Sequence, residues 1–191
     1  MNLRSLSFAG YRSFAAKSPA ERNRPLERLD LTPLTILLGK NNSGKSTVAR
    51  LLHHVLLALG SDGSDPFPIT GEGRTYGSRF RDVLYNNEFF RPLDLHVEMI
   101  DDGESGVLDV RLIQSSDSAD DRAPVVQSMT FQGKDLDVEQ TVAHGLLPAE
   151  PEARRWREAA RALLEASCHL GPVRDAIVEV YTVEHGARGR H

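Results

Sequence analysis

The chain has 191 residues, of which 40% are hydrophobic and 26% are charged, and its single cysteine is Cys168. This length and composition predict one globular domain without disulfides or a cysteine-based zinc cluster, and they exclude collagen, coiled coil and wholesale disorder. The net charge of −4 is unevenly spread, because residues 1–50 carry nine basic against three acidic side chains, whereas residues 51–150 carry seven against eighteen. The basic opening favours an anionic ligand, and the acidic middle argues against nucleic-acid binding over the whole surface.

Neither a membrane span nor a secretory signal is predicted. No apolar run approaches the roughly 18 residues that a span requires. The first fifteen residues alternate apolar and polar side chains, without the continuous apolar stretch of a signal peptide. We therefore expect a soluble cytoplasmic protein that makes no membrane contact.

The first forty residues predict two strands separated by a polar excursion. Residues 3–8 alternate apolar and polar side chains, which predicts a strand, and the aromatic and basic loop Gly10–Phe14 follows. Residues 16–30 are polar and contain two prolines, so they predict a surface excursion. Residues 34–38, Leu-Thr-Ile-Leu-Leu, are typical of a strand that is buried on both faces.

A helix is predicted over residues 45–59. Apolar side chains recur on one face at helical spacing, and Gly60 stands where a C-terminal cap belongs. His53 and His54 point about 100° apart on a helix and cannot chelate one metal from one face, so they are interpreted as solvated or boundary side chains.

The remainder of the chain predicts a loop, an antiparallel meander and a closing helix. Residues 61–78 are rich in glycine, serine, aspartate and proline, which predicts a long mobile loop, and residues 79–90 predict a short helix. Four strand-like stretches follow, joined by turn signals: 93–99, 108–112, 125–131 and 136–142. Pro151 begins the last helix, which runs to about residue 169 and carries an arginine-rich face that is predicted to be solvated: Arg154, Arg155, Arg157 and Arg161.

The strongest motif in the sequence lies between the second predicted strand and the first predicted helix. Gly39-Lys40-Asn41-Asn42-Ser43-Gly44-Lys45-Ser46 fits G-x-x-x-x-G-K-[ST] at every fixed position. The arrangement of strand, glycine-rich loop and helix is the context that this motif requires. The sequence therefore predicts a Walker A loop.

The residue types of this loop suit a nucleoside triphosphate. Gly39 and Gly44 allow the backbone to turn so that successive N–H groups surround the β-phosphate, and the helix N-terminus adds its partial positive charge. Lys45, also the predicted catalytic residue, reaches the β- and γ-oxygens, the Ser46 hydroxyl ligates Mg²⁺, and Thr47 serves the α-phosphate. The predicted ATP-binding residues of the loop and helix are Gly39, Asn41, Asn42, Ser43, Gly44, Lys45, Ser46 and Thr47.

These features together resemble a known branch of P-loop proteins. The sequence resembles the ABC-type ATPases of the SMC, RecF and OLD-nuclease branch, which serve DNA repair, chromosome handling and phage defence. The resemblance lies in the first strand with the loop Gly10–Phe14, in the spacer, and in the segment Leu34–Thr47. The resemblance implies an α/β P-loop NTPase fold of the ABC-ATPase head type, with an antiparallel meander after the Walker A helix. It also implies that Arg12 and Ser13 lie near the nucleotide phosphates, and that DNA is the target of an ATP-sandwiched dimer.

The sequence departs from that family in its second half. A Walker B strand, with four apolar residues before Asp-Glu, does not occur; the nearest stretch, Val97–Asp102, alternates with polar residues and runs into a turn. The LSGGQ-like signature is also missing, and Leu170–Arg174 resembles the segment near the Q-loop of some members. The resemblance therefore implies a single N-terminal lobe: a fragment, a truncation or half of a split protein, completed by a second ATPase half or a homodimer partner. Its parts are a nucleotide-binding core (1–60), an insert (61–92), the meander (93–143) and a helical segment (144–191).

Two other functions stay open. A small P-loop kinase is possible, although such kinases usually begin with the P-loop strand, whereas here another strand and a polar stretch come first. A nucleotide-binding module that does not hydrolyse ATP is the stronger alternative, because the Walker B carboxylate is missing. A small GTPase is excluded, because neither D-x-x-G nor [NT]-K-x-D occurs in the chain.

Overall fold

A computed structural model describes residues 2–16, 25–88, 90–114, 124–138 and 143–166. They form a mixed α/β structure, in which an antiparallel sheet is packed with two helices. In chain order, the helices and strands are β1 (Asn2–Ala9), β2 (Glu27–Asp30), α1 (Lys45–Gly60), β3 (Thr70–Gly71), β4 (Arg74–Thr75), β5 (Leu93–Asp101), β6 (Glu104–Gln114), β7 (Pro124–Phe131), β8 (Lys134–Leu136), β9 (Ala143–His144), β10 (Leu147–Pro148) and α2 (Pro151–Ala166). No helix in these ranges is long and apolar enough to span a membrane.

The main sheet has six strands in the order β2-β1-β5-β6-β7-β8, with every neighbouring pair antiparallel. Side chains of successive residues point to opposite faces of this sheet. In β5, for example, Leu95, Val97 and Met99 are buried in the core, and the side chains between them lie on the opposite face. The predicted first strand and the antiparallel meander are therefore confirmed.

The fourth strand of the meander begins earlier than the sequence predicted. Gln132 and Gly133 both have positive φ, 53° and 75°, which suits the two-residue turns that join twisted antiparallel strands. Such a turn returns the chain to the sheet at once, so β8 spans Lys134–Leu136 instead of beginning at Leu136. Residues 139–142 of the prediction lie outside the described residues.

The two helices pack against each other and against the sheet. The first helix extends through Gly60, one residue beyond the prediction, and Ser61 caps it. The Arg161 guanidinium donates to the Gly60 carbonyl at 2.9 Å and to the Asp62 carboxylate at 2.6 Å, so a side chain of α2 satisfies the C-terminal end of α1.

The predicted arginine face of α2 is only partly solvated. Arg154 and Arg155 are exposed, but Arg157 is buried and donates to the Pro148 carbonyl at 2.8 Å. Burial lowers the pKa of Arg157, and the nearby Asp62 carboxylate opposes that shift. The helix ends at Ala166 among the described residues, and the predicted residues 167–169 lie outside them.

The insert contributes to the core instead of forming a plain surface loop. Phe67, Tyr76 and Phe80 are buried, and the short hairpin of β3 and β4 lies between the first two of them. Two 3₁₀ turns, Phe80–Val83 and Tyr85–Asn87, replace the predicted helix over 79–90. The apolar residues of this segment therefore pack it against the core.

The predicted buried strand over residues 34–38 is wrong for this structure. Leu34, Ile36 and Leu38 are 77%, 68% and 88% exposed, and the segment belongs to no strand. The edge strand of the sheet is instead β2, which lies inside the predicted polar excursion. Beyond β2, the hydrogen bonding to β1 ends with the bond that Leu31 N–H donates to Arg4 O. An apolar run forms a strand only beside a partner, and none of the strands described above pairs with this one.

Candidate functional site

The Walker A loop lies at the N-terminus of α1. The helix begins at Lys45, and Gly44 is its N-cap residue with a φ of 88° in the left-handed region. The Ser43 amide donates to Lys40 O at 3.2 Å, which closes a tight turn inside the loop, and Asn42 has a φ of 66°. Residues 39–43 are exposed, so the loop is accessible from solvent.

The Lys45 ammonium group is held by the loop backbone. Its Nζ donates to the carbonyl of Gly39 at 2.7 Å and to that of Lys40 at 2.6 Å, and the Ser43 hydroxyl lies 3.5 Å away. An ammonium group has three donors, and these three contacts engage all of them. The loop thus fixes a positive charge at the helix N-terminus.

The helix end itself favours negative charge. The first turn of α1 has no acidic residue, and no side chain caps it. Its unpaired N–H groups and the helix dipole therefore present partial positive charge beside Lys45. Of the other predicted site residues, Asn41 and Asn42 are exposed in the loop, and Ser46 and Thr47 lie in the first turn, where Ser46 is exposed and Thr47 half-buried.

A magnesium ion at Ser46 would depend on the nucleotide. No group of three or more histidine, cysteine, aspartate or glutamate side chains that could hold a metal occurs in the described ranges. Mg²⁺ is commonly held by one or two protein oxygens together with phosphate oxygens and water. The exposed Ser46 hydroxyl fits that pattern as a single protein ligand.

The loop Gly10–Phe14 reaches the Walker A loop through two of its residues. A Cβ atom placed on Gly44 would lie 2.9 Å from Phe14 Cζ and 3.7 Å from the Ser13 hydroxyl. Arg12, in contrast, bonds to the insert: its backbone N–H donates to Val83 O at 2.9 Å, and its guanidinium donates to the Tyr76 carbonyl. The structure thus brings Ser13 and Phe14 to the Walker A loop and directs Arg12 towards the insert. Sequence reasoning did not identify the Phe14 contact, because it joins residues that are far apart in the chain.

The prediction that His53 and His54 are solvated or boundary side chains is wrong, because both are buried. They are 8% and 0% exposed, because the insert folds over this part of α1. The His54 ring stacks on Tyr76 and lies tilted by 36° against Phe67, each at a centroid distance of 3.9 Å, and its Nε2–H donates to Pro68 O at 2.8 Å. His53 Nδ1 is hydrogen-bonded to the Tyr76 hydroxyl. Burial lowers the pKa of His54 to about 3, so the ring is neutral at physiological pH.

This burial makes the stability of the fold depend on pH. The unfolded chain takes up a proton on His54 near pH 6.5, whereas the folded chain does so only near pH 3, so between these values the unfolded state binds more protons. We expect the free energy of unfolding to fall as the pH drops below 6.5, by up to about 1.4 kcal/mol per pH unit from this group. Urea unfolding of the wild type and of His54→Phe, measured from pH 7 to pH 5, should show a shallower dependence for the variant. Equal slopes would contradict the prediction.

Three acidic residues of the sequence are the first candidates for a catalytic carboxylate: Asp101, Asp102 and Glu179. Asp101 ends β5 and Asp102 stands in the turn before β6, so this pair occupies a hairpin, as the sequence indicated. Glu179 and the segment Leu170–Arg174 lie outside the described residues.

Comparison of the chain with protein-family models found no match, and neither did comparison with curated protein sequences. The functional assignment therefore rests on the Walker A sequence and on the geometry around Lys45.

Proposed function

We propose that this protein binds Mg²⁺·ATP at the Walker A loop. The observation that carries the proposal is the Lys45 ammonium, held by the carbonyls of Gly39 and Lys40 at the N-terminus of α1. A fixed cation, free helix amides and a glycine-containing turn are the groups that bind the β- and γ-phosphates of a nucleotide. In this proposal the ATP-binding residues are those of the Walker A loop and the first helical turn, and Ser46 ligates Mg²⁺.

The wider function is that of one lobe of an ABC-type ATPase, with the P-loop NTPase fold completed by a second half or a homodimer partner. Support comes from residues 34–38, which precede the Walker A loop and expose Leu34, Ile36 and Leu38. A run of this kind is typical of a strand with neighbours on both sides and cover on both faces. By the resemblance described above, the completed ATPase acts on DNA in repair, chromosome maintenance or phage defence.

A nucleotide-binding module without hydrolysis is the second candidate. It is favoured by the positions of Asp101 and Asp102, which stand in a hairpin turn instead of at the end of a buried strand. Hydrolysis requires a carboxylate or an equivalent group that orients water towards the γ-phosphorus.

The binding proposal is tested by removing the Lys45 charge. We expect Lys45→Ala to weaken binding of a fluorescent ATP analogue with Mg²⁺ by about tenfold or more, because a charge-assisted hydrogen bond to phosphate is lost. Lys40→Ala is the matched control, since it removes the same charge from the same loop at a position that the motif leaves open. Its effect should be much smaller. Equal affinities of the wild type and Lys45→Ala, or no saturable binding by the wild type, would overturn the proposal.

A further inference from the structure

Phe14 lies against Gly44, the N-cap residue of the Walker A helix. A Cβ on Gly44 would meet Phe14 Cζ at 2.9 Å and Cε2 at 3.3 Å, both closer than an ordinary van der Waals contact. The edge of the ring therefore occupies the side of Gly44 on which any other residue would carry its side chain. This contact gives a second reason for glycine here, independent of its φ of 88°.

The ring is itself held from behind. Phe14 meets the buried ring of Phe8 edge to face, at a centroid distance of 4.9 Å and an interplanar angle of 80°. The Phe14 amide donates to Tyr11 O at 2.9 Å, which forms a turn in the loop. Phe14 is thus packed between the core, through β1, and the Walker A loop.

The loop that carries Phe14 is also fixed to the insert. The Arg12 amide donates to Val83 O at 2.9 Å, and the Tyr85 amide donates to Gly10 O at 2.9 Å. Gly10 lies so close to Pro92 that an added Cβ would be 2.1 Å from the Pro92 carbonyl oxygen. A loop with these contacts cannot move easily away from the Walker A loop. The Phe14 ring therefore restricts the position of Gly44.

We propose that Phe14 is a positioning residue for the phosphate-binding loop. Its ring holds the Gly44 peptide so that the amides at the start of α1 and the Lys45 side chain keep the geometry that receives the β- and γ-phosphates. The ring has no polar group with which to bind phosphate, and in this proposal it acts through Gly44. The proposal rests on the nucleotide site described under the proposed function and adds to it a residue outside the motif.

The test compares variants that separate positioning from stability. Binding of a fluorescent ATP analogue with Mg²⁺ is measured for the wild type, Phe14→Ala and Phe14→Leu, at a temperature where thermal unfolding curves show all of them folded. We expect Phe14→Ala to weaken binding by about tenfold or more, because small displacements of a binding group have large effects. Phe14→Leu, which refills most of the volume, should recover most of the affinity. Leu136→Ala, which truncates another partly buried side chain at the far edge of the sheet, should lower stability without changing affinity.

A double variant gives a readout that a purely structural role would not move. If Phe14 acts through Gly44, the loss of affinity caused by Gly44→Ala should be smaller in the Phe14→Ala background, where the clashing ring is gone. Additive effects, or equal affinity of the wild type and Phe14→Ala, would overturn the positioning role even though ATP binding stood. Absence of analogue binding by the folded wild type would overturn the proposed function itself, and with it this inference.

Discussion

Substitution of Gly44 by alanine should abolish most ATP binding, with a loss of affinity of about 100-fold, because the whole phosphate cradle is displaced. Two effects act at this position. The left-handed φ of 88° disfavours any residue with a Cβ, and the added methyl would overlap the Phe14 ring at 2.9 Å. Since Gly44 is the N-cap residue of α1, a backbone shift that relieves the overlap would move the first helical turn together with Lys45.

Gly133→Ala separates the two effects. Gly133 has a φ of 75°, and an added Cβ there would meet nothing within 4 Å. Both variants should lose about 1 kcal/mol of stability from the backbone conformation, measured by urea unfolding, while only Gly44→Ala should lose affinity for the fluorescent ATP analogue. Undiminished nucleotide binding by Gly44→Ala would contradict the geometry of the site.

Much of the sheet could be predicted from the sequence, because the pattern of apolar and polar residues in its strands reflects which face is buried. Each strand of the meander has one face on the core, so apolar and polar side chains alternate, and turn residues with positive φ mark where the chain reverses. The same reasoning identified α1 and α2 from their apolar faces. In these elements the local pattern and the tertiary environment agree.

The errors arise where the environment comes from distant parts of the chain. His53 and His54 are buried because Phe67 and Tyr76 of the insert fold over them, and no spacing on α1 indicates that cover. Residues 34–38 have the composition of a central strand, but a strand also needs partners, and the described strands do not provide them. The composition of residues 34–38 therefore predicted that the segment suits a buried strand, but it could not predict which residues the segment contacts.

The candidate site also contains one part that the sequence could predict and another that depends on distant parts of the chain. The Walker A motif is a local signal, and the loop, the helix start and the Lys45 side chain lie next to each other. The strand that the motif requires before the loop is not formed by residues 34–38. Phe14 and Arg12 belong to a loop that meets this region through space. Their different directions, one towards Gly44 and the other towards the Tyr76 carbonyl, follow from the tertiary packing of that loop.

The isolated chain should bind ATP but hydrolyse it slowly, with turnover below about 0.01 s⁻¹, two orders of magnitude under the lower end of ordinary enzymes. Lys45 and a Ser46-bound Mg²⁺ would stabilise charge on the transferring phosphoryl group, but hydrolysis also needs a group that orients the attacking water. The sequence contains no stretch of four apolar residues followed by Asp-Glu to supply it, and Asp101 and Asp102 stand in a hairpin turn.

Steady-state phosphate release from the purified chain, measured at low and high protein concentration, tests this expectation. A homodimer that completes the site would raise the turnover per chain as concentration increases, whereas a split ATPase would stay inactive until its other half is added. Turnover near 1 s⁻¹ that Lys45→Ala abolishes and that does not depend on concentration would mean that the chain supplies its own catalytic carboxylate. Asp101→Asn, Asp102→Asn and Glu179→Gln would then identify it, since loss of phosphate release with retained analogue binding marks a group that acts on the water instead of on the nucleotide.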